Sequence, residues 1–455
     1  MFQFLKKGGV FLALIMVVSC NPKTQAPPPS GSLNLLELMP KTDYAIYMLF
    51  GSPPAMQAGM HWQTHNVPSV VWTNRVYQFD PNYIPRNVEI IEDSKLESIL
   101  LNSGDNLGRD LKNTYTVFEQ RIDKLFRENP HATYTVYATD GFLEMVPYFI
   151  FSKGIKPEQV VVEILNDMAN VSYFYRVNAT QAETLFEAHR MEARDFIRSA
   201  TSNPSGMGTW NSEKLPLGYE LSGRFWFISR AVYDGVPFMS RINHRELPFS
   251  SWYHSLSSYQ RSNLERLMFF DAKEIDKVLF PNGSTKTPII IAGAYRANPN
   301  DSGLIVSEHF EAEMQAILDH FGDQYTYFFK GHPVLPEGSS SERQWMQDKG
   351  IHIFPSNTRF PFEFLMFHYS DLIVGGYPTS SYLSASAQQF RFHIGSITDP
   401  RLSLMYSWGY WPNLHIIDVS GGRSMFSFDT PHDFNDYYYD PALGVYVLYP
   451  NVTSR

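Results

Sequence analysis

The sequence predicts an α/β protein with two domains in tandem, each a parallel sheet covered by helices on both faces. Three observations lead to this prediction. The chain has 455 residues, which suits two or three domains of about 100–200 residues each. Short β-branched apolar runs alternate with segments whose apolar residues recur at helical period, a pattern that requires right-handed crossovers between parallel strands. Residues 201–218 are rich in Ser, Gly, Asn and Pro, and they divide the pattern into two halves.

The first 40 residues are predicted to be a leader and a tether. Lys6 and Lys7 precede an apolar run from Gly8 to Val18, which is too short to span a bilayer and is typical of a secretory signal. The run ends in Val-Val-Ser-Cys, which resembles a bacterial lipoprotein signal, so residues 1–20 are predicted to be the signal peptide and Cys20 the lipidated residue. An ordinary signal peptide with a chance cysteine is the alternative. A proline and serine-glycine stretch predicts a flexible tether over residues 21–40, and the expected location is extracytoplasmic and membrane-anchored.

The N-terminal domain is predicted over residues 41–212. Its apolar runs are short and bounded by turn formers, as buried parallel strands usually are. We predict a helix over Thr114–Asn129 and strands over Tyr44–Leu49, Ser69–Trp72, Val88–Ile91, Thr133–Tyr137 and Gln159–Ile164.

The C-terminal domain is predicted over residues 213–414. Helices are expected at Glu308–Phe321, at Pro361–Tyr369 and from near Ser380 onward. The expected strands are Pro288–Ala292, Tyr325–Lys330, Ile351–Phe354 and Asp371–Val374. Residues 415–455 are predicted to form a C-terminal segment, whose return to the N-terminal domain is an open alternative.

Charge and composition exclude several classes of function. Lys and Arg number 37 against 46 Asp and Glu, a net charge of −9 with no basic run, so nucleic acid is not an expected partner. The single cysteine excludes a disulfide scaffold and a Cys-rich zinc site. The sequence contains no His-Glu-x-x-His or other zinc spacing, so no metal site is predicted.

Polar residues that directly follow predicted strands are the candidates for chemistry, because ligands of open parallel sheets bind at the carboxyl ends of the strands. Four places meet this condition: Asp140-Gly141, Gly293, Lys330-Gly331-His332-Pro333, and the segment from Gly375-Gly376 to Ser380-Ser381.

Each candidate has a functional and a structural interpretation. Ser380 and Ser381 either form a phosphate cradle at a helix start or only cap that helix. His332 is either a proton donor beside the Lys330 ammonium or a surface turn residue. Glu363 either accepts hydrogen bonds from ribose hydroxyls or complements a helix dipole. Asp140 is a general base or a turn former.

Taken together, these residues resemble the bacterial sialyltransferases of glycosyltransferase family eighty. The matching segments occur in the order of that family: Tyr137-Ala-Thr-Asp140-Gly141, Lys330-Gly331-His332-Pro333, Phe362-Glu363-x-Leu365-Met366, and Gly375-Gly376 followed by Ser380-Ser381. The resemblance implies a GT-B fold, with two Rossmann-like domains whose sheets face a central cleft. It also implies inverting, metal-independent transfer of sialic acid from CMP-sialic acid to a galactoside, with no cofactor.

The resemblance also assigns roles to individual positions. Asp140 would be the general base, with Gly141 beside it, and His332 would be the acid at the departing phosphate. Lys330 and Pro333 would surround the nucleotide. Glu363 would hold the ribose hydroxyls, Ser380 and Ser381 the phosphate, and Gly293 would approach the nucleotide from a neighbouring strand end.

The sequence departs from the family pattern on the acceptor side. Thr139 and Phe142 flank the Asp140-Gly141 pair in place of the expected aspartate and small polar residue, and the first strand ends at Phe50-Gly51 without an aspartate. Tyr295 stands near the position of an expected tryptophan. Two alternatives therefore remain open: a transferase for another CMP-activated nonulosonate or a Kdo-like sugar, and a non-catalytic surface lipoprotein that binds sugars.

Overall fold

The fold is seen in a computed structural model of the chain. The described residues are 38–73, 79–91, 116–166, 175, 180–203, 210, 212–228, 236–246, 249–332, 335–355, 358–386, 388–395 and 414–418, together with three strands nearer the C-terminus. The predicted signal peptide, with Cys20, and nearly all of the predicted tether lie outside these residues.

The N-terminal half forms a parallel sheet of seven strands among the described residues. The strands are β1 (Tyr44–Leu49), β2 (Ser69–Thr73), β3 (Val88–Ile91), β4 (Tyr134–Thr139), β5 (Val160–Leu165), β6 (Arg224–Phe227) and β7 (His244–Glu246). Their order across the sheet is β3-β2-β1-β4-β5-β6-β7, so β1 lies between β2 and β4. From β1 to β3 the chain therefore proceeds toward one edge of the sheet, and from β4 to β7 it proceeds toward the other edge. This reversal of strand order beside β1 is typical of Rossmann folds.

Helices connect these strands. They are α1 (Ser52–Thr64), α2 (Thr116–Glu128), α3 (Met145–Phe149), α4 (Ala182–Ser202) and α5 (Lys214–Glu220). Pro53 and Pro54 occupy the first turn of α1, where a missing backbone N–H costs nothing.

Three further helices follow the first sheet and lead to the second: α6 (Phe249–Ser255), α7 (Ser258–Leu267) and α8 (Ala272–Leu279). Ser257 caps α7 in a capping box with Gln260, and the Asp271 carboxylate caps α8. The Gln260 side chain also donates to the Gln63 carbonyl at 2.9 Å, which ties α7 to the end of α1.

The C-terminal half forms the second sheet, which also has seven strands in the described part of the chain. The strands are β8 (Pro288–Ala292), β11 (Thr326–Lys330), β12 (His352–Ile353), β13 (Ile373–Gly376), β14 (Phe390–Ile394), β15 (His415–Asp418) and β16 (Arg423–Ser427). The order β12-β11-β8-β13-β14-β15-β16 repeats that of the first sheet, and only β16 is antiparallel to its neighbour. Two small antiparallel pairs lie outside the sheet: β9 (Arg296–Ala297) with β10 (Leu304–Ile305), and β17 (Tyr437–Asp440) with β18 (Val445–Leu448).

The helices of this half are α9 (Phe310–Phe321), α10 (Ser340–Asp348) and α11 (Glu363–His368). Alternate residues of β8 belong to different apolar clusters, as the pleat of a doubly covered strand requires. Ile289 and Ile291 pack with α9, whereas Ile290 belongs to a larger cluster that continues through α6 to α8 into the first sheet. The structure therefore confirms an α/β fold with two parallel sheets of Rossmann type.

Several predicted boundaries differ from the structure. Strand β6 pairs with β5 and β7 pairs with β6, so the first sheet extends to Glu246, beyond the predicted domain boundary at 212/213. Strands β15 and β16 complete the second sheet, so these two strands belong with the C-terminal half and not with a separate segment. The physical reason is that a strand joins a sheet through hydrogen bonds to a strand far away in the sequence. The composition of the loops, from which the boundaries were predicted, does not encode those hydrogen bonds.

In the described part of the chain, no helix is both long and apolar enough to cross a bilayer.

Candidate active site

Each sheet has its own topological switch point, where the connections of two neighbouring strands lead in opposite directions across the sheet. In the first sheet this point lies between β1 and β4, and Asp140 directly follows β4. In the second it lies between β8 and β13, and the residues that follow those strands are Gly293 and Tyr377. Ligands of open α/β sheets bind at such points, and the predicted candidates follow strands at both.

Asp140 is completely buried at the start of a short 3₁₀ helix, Asp140–Phe142. Its Oδ1 accepts a hydrogen bond from the Gly141 backbone N–H at 2.8 Å. Its Oδ2 accepts one from Asn166 Nδ2 at 2.7 Å. Asn166 is not among the predicted candidates, because the predicted strand ends at Ile164, whereas β5 ends at Leu165 and Asn166 directly follows it.

Thr139 and Phe142, the two departures beside Asp140, join the ends of the strands on either side of the switch point. The Thr139 hydroxyl accepts a hydrogen bond from the Phe50 backbone N–H at 2.9 Å, which links the end of β4 to the end of β1. The Phe142 ring packs edge-on against Phe50 and Trp72, with centroid distances of 5.3 and 5.0 Å. Both residues therefore have a structural role at this edge of the first sheet.

Glu363 begins α11, and its carboxylate is buried. Among the described residues, no donor meets hydrogen-bond geometry at either of its oxygens. Burial raises the pKa of Glu363, and its own backbone N–H, the Ser381 hydroxyl and the Lys330 ammonium offset part of that rise. A buried carboxylate with so few partners is costly for the protein alone and suits a ligand that brings donors.

Lys330 ends β11 and lies near this carboxylate. Burial of its ammonium lowers the pKa of Lys330 to about 8, and the negative charge of Glu363 opposes that shift. The ammonium also lies 5.1 Å from the centre of the Phe360 ring, a cation–π contact. The structure thus brings together Lys330, Glu363 and Ser381, which come from three separate segments of the chain.

The segment after β13 differs from the prediction in two ways. Gly375 and Gly376 belong to the strand itself and not to the turn that follows it. The expected helix is a 3₁₀ helix of five residues, Ser380–Ser384, and its cap is the Thr379 hydroxyl, which accepts from the Ser381 backbone N–H at 3.3 Å. A helix this short has little dipole, so any phosphate contact here depends on hydroxyl and backbone N–H groups. The Ser380 side chain lies outside the described part of the structure.

Close packing explains the glycines at these strand ends. A Cβ on Gly293 would lie 2.6 Å from the Phe329 ring and 2.9 Å from the Gly331 Cα. Gly376 has a φ of +123°, and a Cβ there would lie 2.5 Å from the Ala292 carbonyl oxygen. The Gly293 N–H donates to the Lys330 carbonyl at 2.9 Å, so Gly293 adjoins the Lys330 backbone.

His332 lies on the turn after β11, and its ring packs against Tyr295 with a centroid distance of 4.6 Å. Tyr295 follows β8, so two residues singled out in the sequence meet at this edge. The described contacts thus form two groups, one around Asp140 on the first sheet and one around Glu363 and His332 on the second. The meeting of Asp140 with His332 stays a prediction, and Pro333 lies outside the described residues.

Comparison with known proteins was made for sequence and for structure. No family model matches the chain, and no curated protein sequence matches it. Among solved structures, an α/β-galactoside α-2,3-sialyltransferase from Photobacterium phosphoreum superposes with a TM-score of 0.60 at 14% identity, over 83% of this chain and 99% of the other.

Two further structures are similar. One is a 2,6-sialyltransferase from a Photobacterium species of the Vibrionaceae, in a ternary complex with the donor product CMP and the acceptor substrate lactose. It has a TM-score of 0.55 at 15% identity and covers 84% of this chain and 80% of that one. The other is the GT-B domain of a sialyltransferase from Photobacterium damselae, with a TM-score of 0.55 at 14% identity over 82% and 99% of the two chains. This chain therefore has the GT-B fold of those enzymes.

Proposed function

We propose that this protein is an inverting sialyltransferase that transfers sialic acid from CMP-sialic acid to a hydroxyl of a galactoside. The buried Glu363 carboxylate beside Lys330 and Ser381 is the single observation that best supports this proposal. Glu363 begins α11 in the C-terminal half of a fold shared with sialyltransferases, and its two carboxylate oxygens suit the paired hydroxyls of a ribose.

In the donor half of the reaction, Glu363 accepts hydrogen bonds from the ribose hydroxyls, and Ser380 and Ser381 donate to the phosphate. Pro333 packs beside the nucleotide, and Gly293 allows close backbone approach. The Lys330 ammonium supplies positive charge near the nucleotide. This role is supported by its position at the end of β11 and by the opposing charge of Glu363, which favours its protonated form.

In the transfer step, Asp140 removes the proton from the acceptor hydroxyl, with Gly141 beside it holding one carboxylate oxygen. The resulting oxygen nucleophile attacks the anomeric carbon of the sialic acid. The bond from that carbon to the phosphate oxygen breaks with inversion, and His332 donates a proton to the departing CMP phosphate. The fixed positive charge and hydroxyl donors around the phosphate are the groups that stabilise the leaving group, and the proposal assigns no metal to this step.

We also propose that the chain acts outside the cytoplasm as a lipid-anchored protein. The supporting observation is the short apolar leader that ends in Val-Val-Ser-Cys20, followed by a proline-rich stretch. The partners are then a nucleotide sugar, a galactoside glycan and a membrane, with no nucleic acid.

A transfer assay with purified protein that lacks residues 1–20 tests the function. We expect CMP to raise the melting temperature, and CMP-sialic acid to label a galactoside. A panel of CMP-activated sugars separates sialic acid from other nonulosonates and from Kdo. We expect Asp140→Asn to reduce transfer by about 10²- to 10⁴-fold while CMP still binds. A protein that binds sugars but transfers none of the panel refutes the proposal in favour of a binding lipoprotein.

A further inference from the structure

We propose that Asn166 is a positioning residue that holds the carboxylate of the Asp140 base in its working orientation. This inference rests on the proposed function, because it gives Asn166 a role in the transfer step. It concerns the acceptor side, where the sequence departs most from the family pattern.

The sheet register brings the two residues to the same level. Strands β4 and β5 are parallel neighbours, and Thr139 pairs with Leu165 at their last shared position. Asp140 and Asn166 are the next residues on each strand, and both are almost completely buried. Their side chains meet through the 2.7 Å hydrogen bond from Asn166 Nδ2 to Asp140 Oδ2.

The carboxylate accepts two hydrogen bonds of different kinds, one from Gly141 and one from Asn166. The bond from the Gly141 N–H to Oδ1 is local, since it comes from the next residue. The bond from Asn166 comes from the residue that follows a different strand, β5, and it fixes the plane of the carboxylate relative to the sheet. Each carboxylate oxygen can accept two hydrogen bonds, so the Asn166 contact does not by itself saturate Oδ2.

An amide suits this position chemically. The Asn166 amide donates without carrying a charge and does not titrate, so it favours the ionised form of Asp140 without competing for its proton. A carboxylic acid in the same place would share a proton with Asp140, because two like charges this close do not ionise independently.

The test compares Asn166→Ala, Asn166→Asp and Asp140→Asn with the wild type. Thr135→Val is the matched control. It removes a buried hydroxyl of the same strand, β4, whose 2.7 Å contact is with Thr42 at the opposite end. For each protein the kcat, the KM for CMP-sialic acid, the CMP affinity and the pH dependence of kcat/KM are measured.

We expect Asn166→Ala to lower kcat by about 10- to 100-fold, the loss of one hydrogen bond to a charged group. The KM for the donor and the CMP affinity should stay within about twofold, and the acid limb of the pH profile should move to higher pH. Asn166→Asp should add a new transition to that profile. Thr135→Val should leave kcat and the profile unchanged.

A wild-type kcat and pH profile in Asn166→Ala overturn the inference, as does an equal loss of kcat in Thr135→Val. A cycle of unfolding free energies over Asn166→Ala, Asp140→Ala and the double variant needs no activity, and additive effects also overturn the inference. If the cycle shows coupling but the wild-type protein transfers no sugar, the proposed function is overturned. The role of Asn166 in transfer is then overturned with it.

Discussion

Replacing Glu363 with glutamine should make the free protein more stable and its nucleotide binding weaker. The carboxylate is buried, and no donor among the described residues meets hydrogen-bond geometry at its oxygens. Glutamine has nearly the same shape and carries no charge. A substitution that gains stability and loses binding is expected where a protein keeps an unsatisfied polar group for its ligand.

The size of the gain follows from the cost of an unsatisfied buried group, about 1–3 kcal/mol and more for a charge. Glutamine keeps part of that cost in its amide, and Lys330 loses a neighbouring negative charge. We therefore expect the unfolding free energy at pH 7 to rise by about 1–2 kcal/mol, which corresponds to about 2–8 °C in melting temperature. Loss of a charged acceptor for ribose hydroxyls should weaken CMP binding by about 10- to 100-fold.

The pH dependence of the unfolding free energy predicts independently that Glu363→Gln is stabilising. Burial raises the pKa of Glu363 above 4.5, so the folded state holds this proton more tightly than the unfolded chain. Protonated Glu363 therefore contributes to the stability of the folded state below pH 4.5, and this contribution is lost as the pH rises through the folded-state pKa. The stability difference between Glu363→Gln and wild type should therefore be small near pH 4 and grow as the pH rises.

The assay is thermal and denaturant unfolding from pH 4 to 7, with and without CMP. Glu342→Gln is the matched control, because its carboxylate is also buried but accepts from the backbone N–H groups of Val306 and Ser339 at 2.8 and 2.7 Å. We expect that control to be destabilised. If Glu363→Gln is destabilised to the same extent at pH 7, or if CMP stabilises it as much as wild type, the reasoning about Glu363 is refuted.

Three further predictions concern other parts of the chain. His332→Gln should lower kcat by about 10²- to 10⁴-fold with little change in CMP affinity, measured by steady-state kinetics and calorimetry, and an unchanged kcat would remove the proton-donor role. Gly293→Ala should destabilise the fold by about 1–3 kcal/mol in denaturant unfolding, because its Cβ would lie 2.6 Å from the Phe329 ring. Gly141→Ala is its control, since a Cβ there meets nothing within 4 Å. Cys20→Ala should move the protein from the membrane to the soluble fraction and abolish lipid labelling, whereas labelling that persists would disprove the lipoprotein signal.

Much of the fold was predictable because local patterns carry it. The apolar runs at β1, β2, β3 and β8 were located to within one residue, since short β-branched segments between turn formers are typical of buried parallel strands. Helices α2, α9 and α11 were located to within about two residues from their apolar spacing. Strands β6 and β7 were missed because they are short and lie beyond the segment poor in regular patterns.

The candidate site was predictable in part. The rule that ligands bind beyond strand ends selected four residues: Asp140, Gly293, Lys330 and Ser381. In the structure Gly293 lies at the switch point of the second sheet, and Lys330 and Ser381 lie near Glu363 in the same half of the chain. The rule did not reveal that Gly375 and Gly376 lie within β13. Their position depends on the close approach of β8 and β14, which is a property of the assembled sheet.

The sequence by itself determined the alternation of strands and helices and the identity of the polar groups at the strand ends, because periodicity and turn chemistry are local. Only the tertiary structure decided which strands are neighbours, and with that the pairing of Asn166 with Asp140 and the burial of Glu363 beside Lys330. Those contacts join residues far apart in the chain. Their chemistry depends on burial and on distances of a few ångströms, which are set when the sheets pack and which no local pattern of residues encodes.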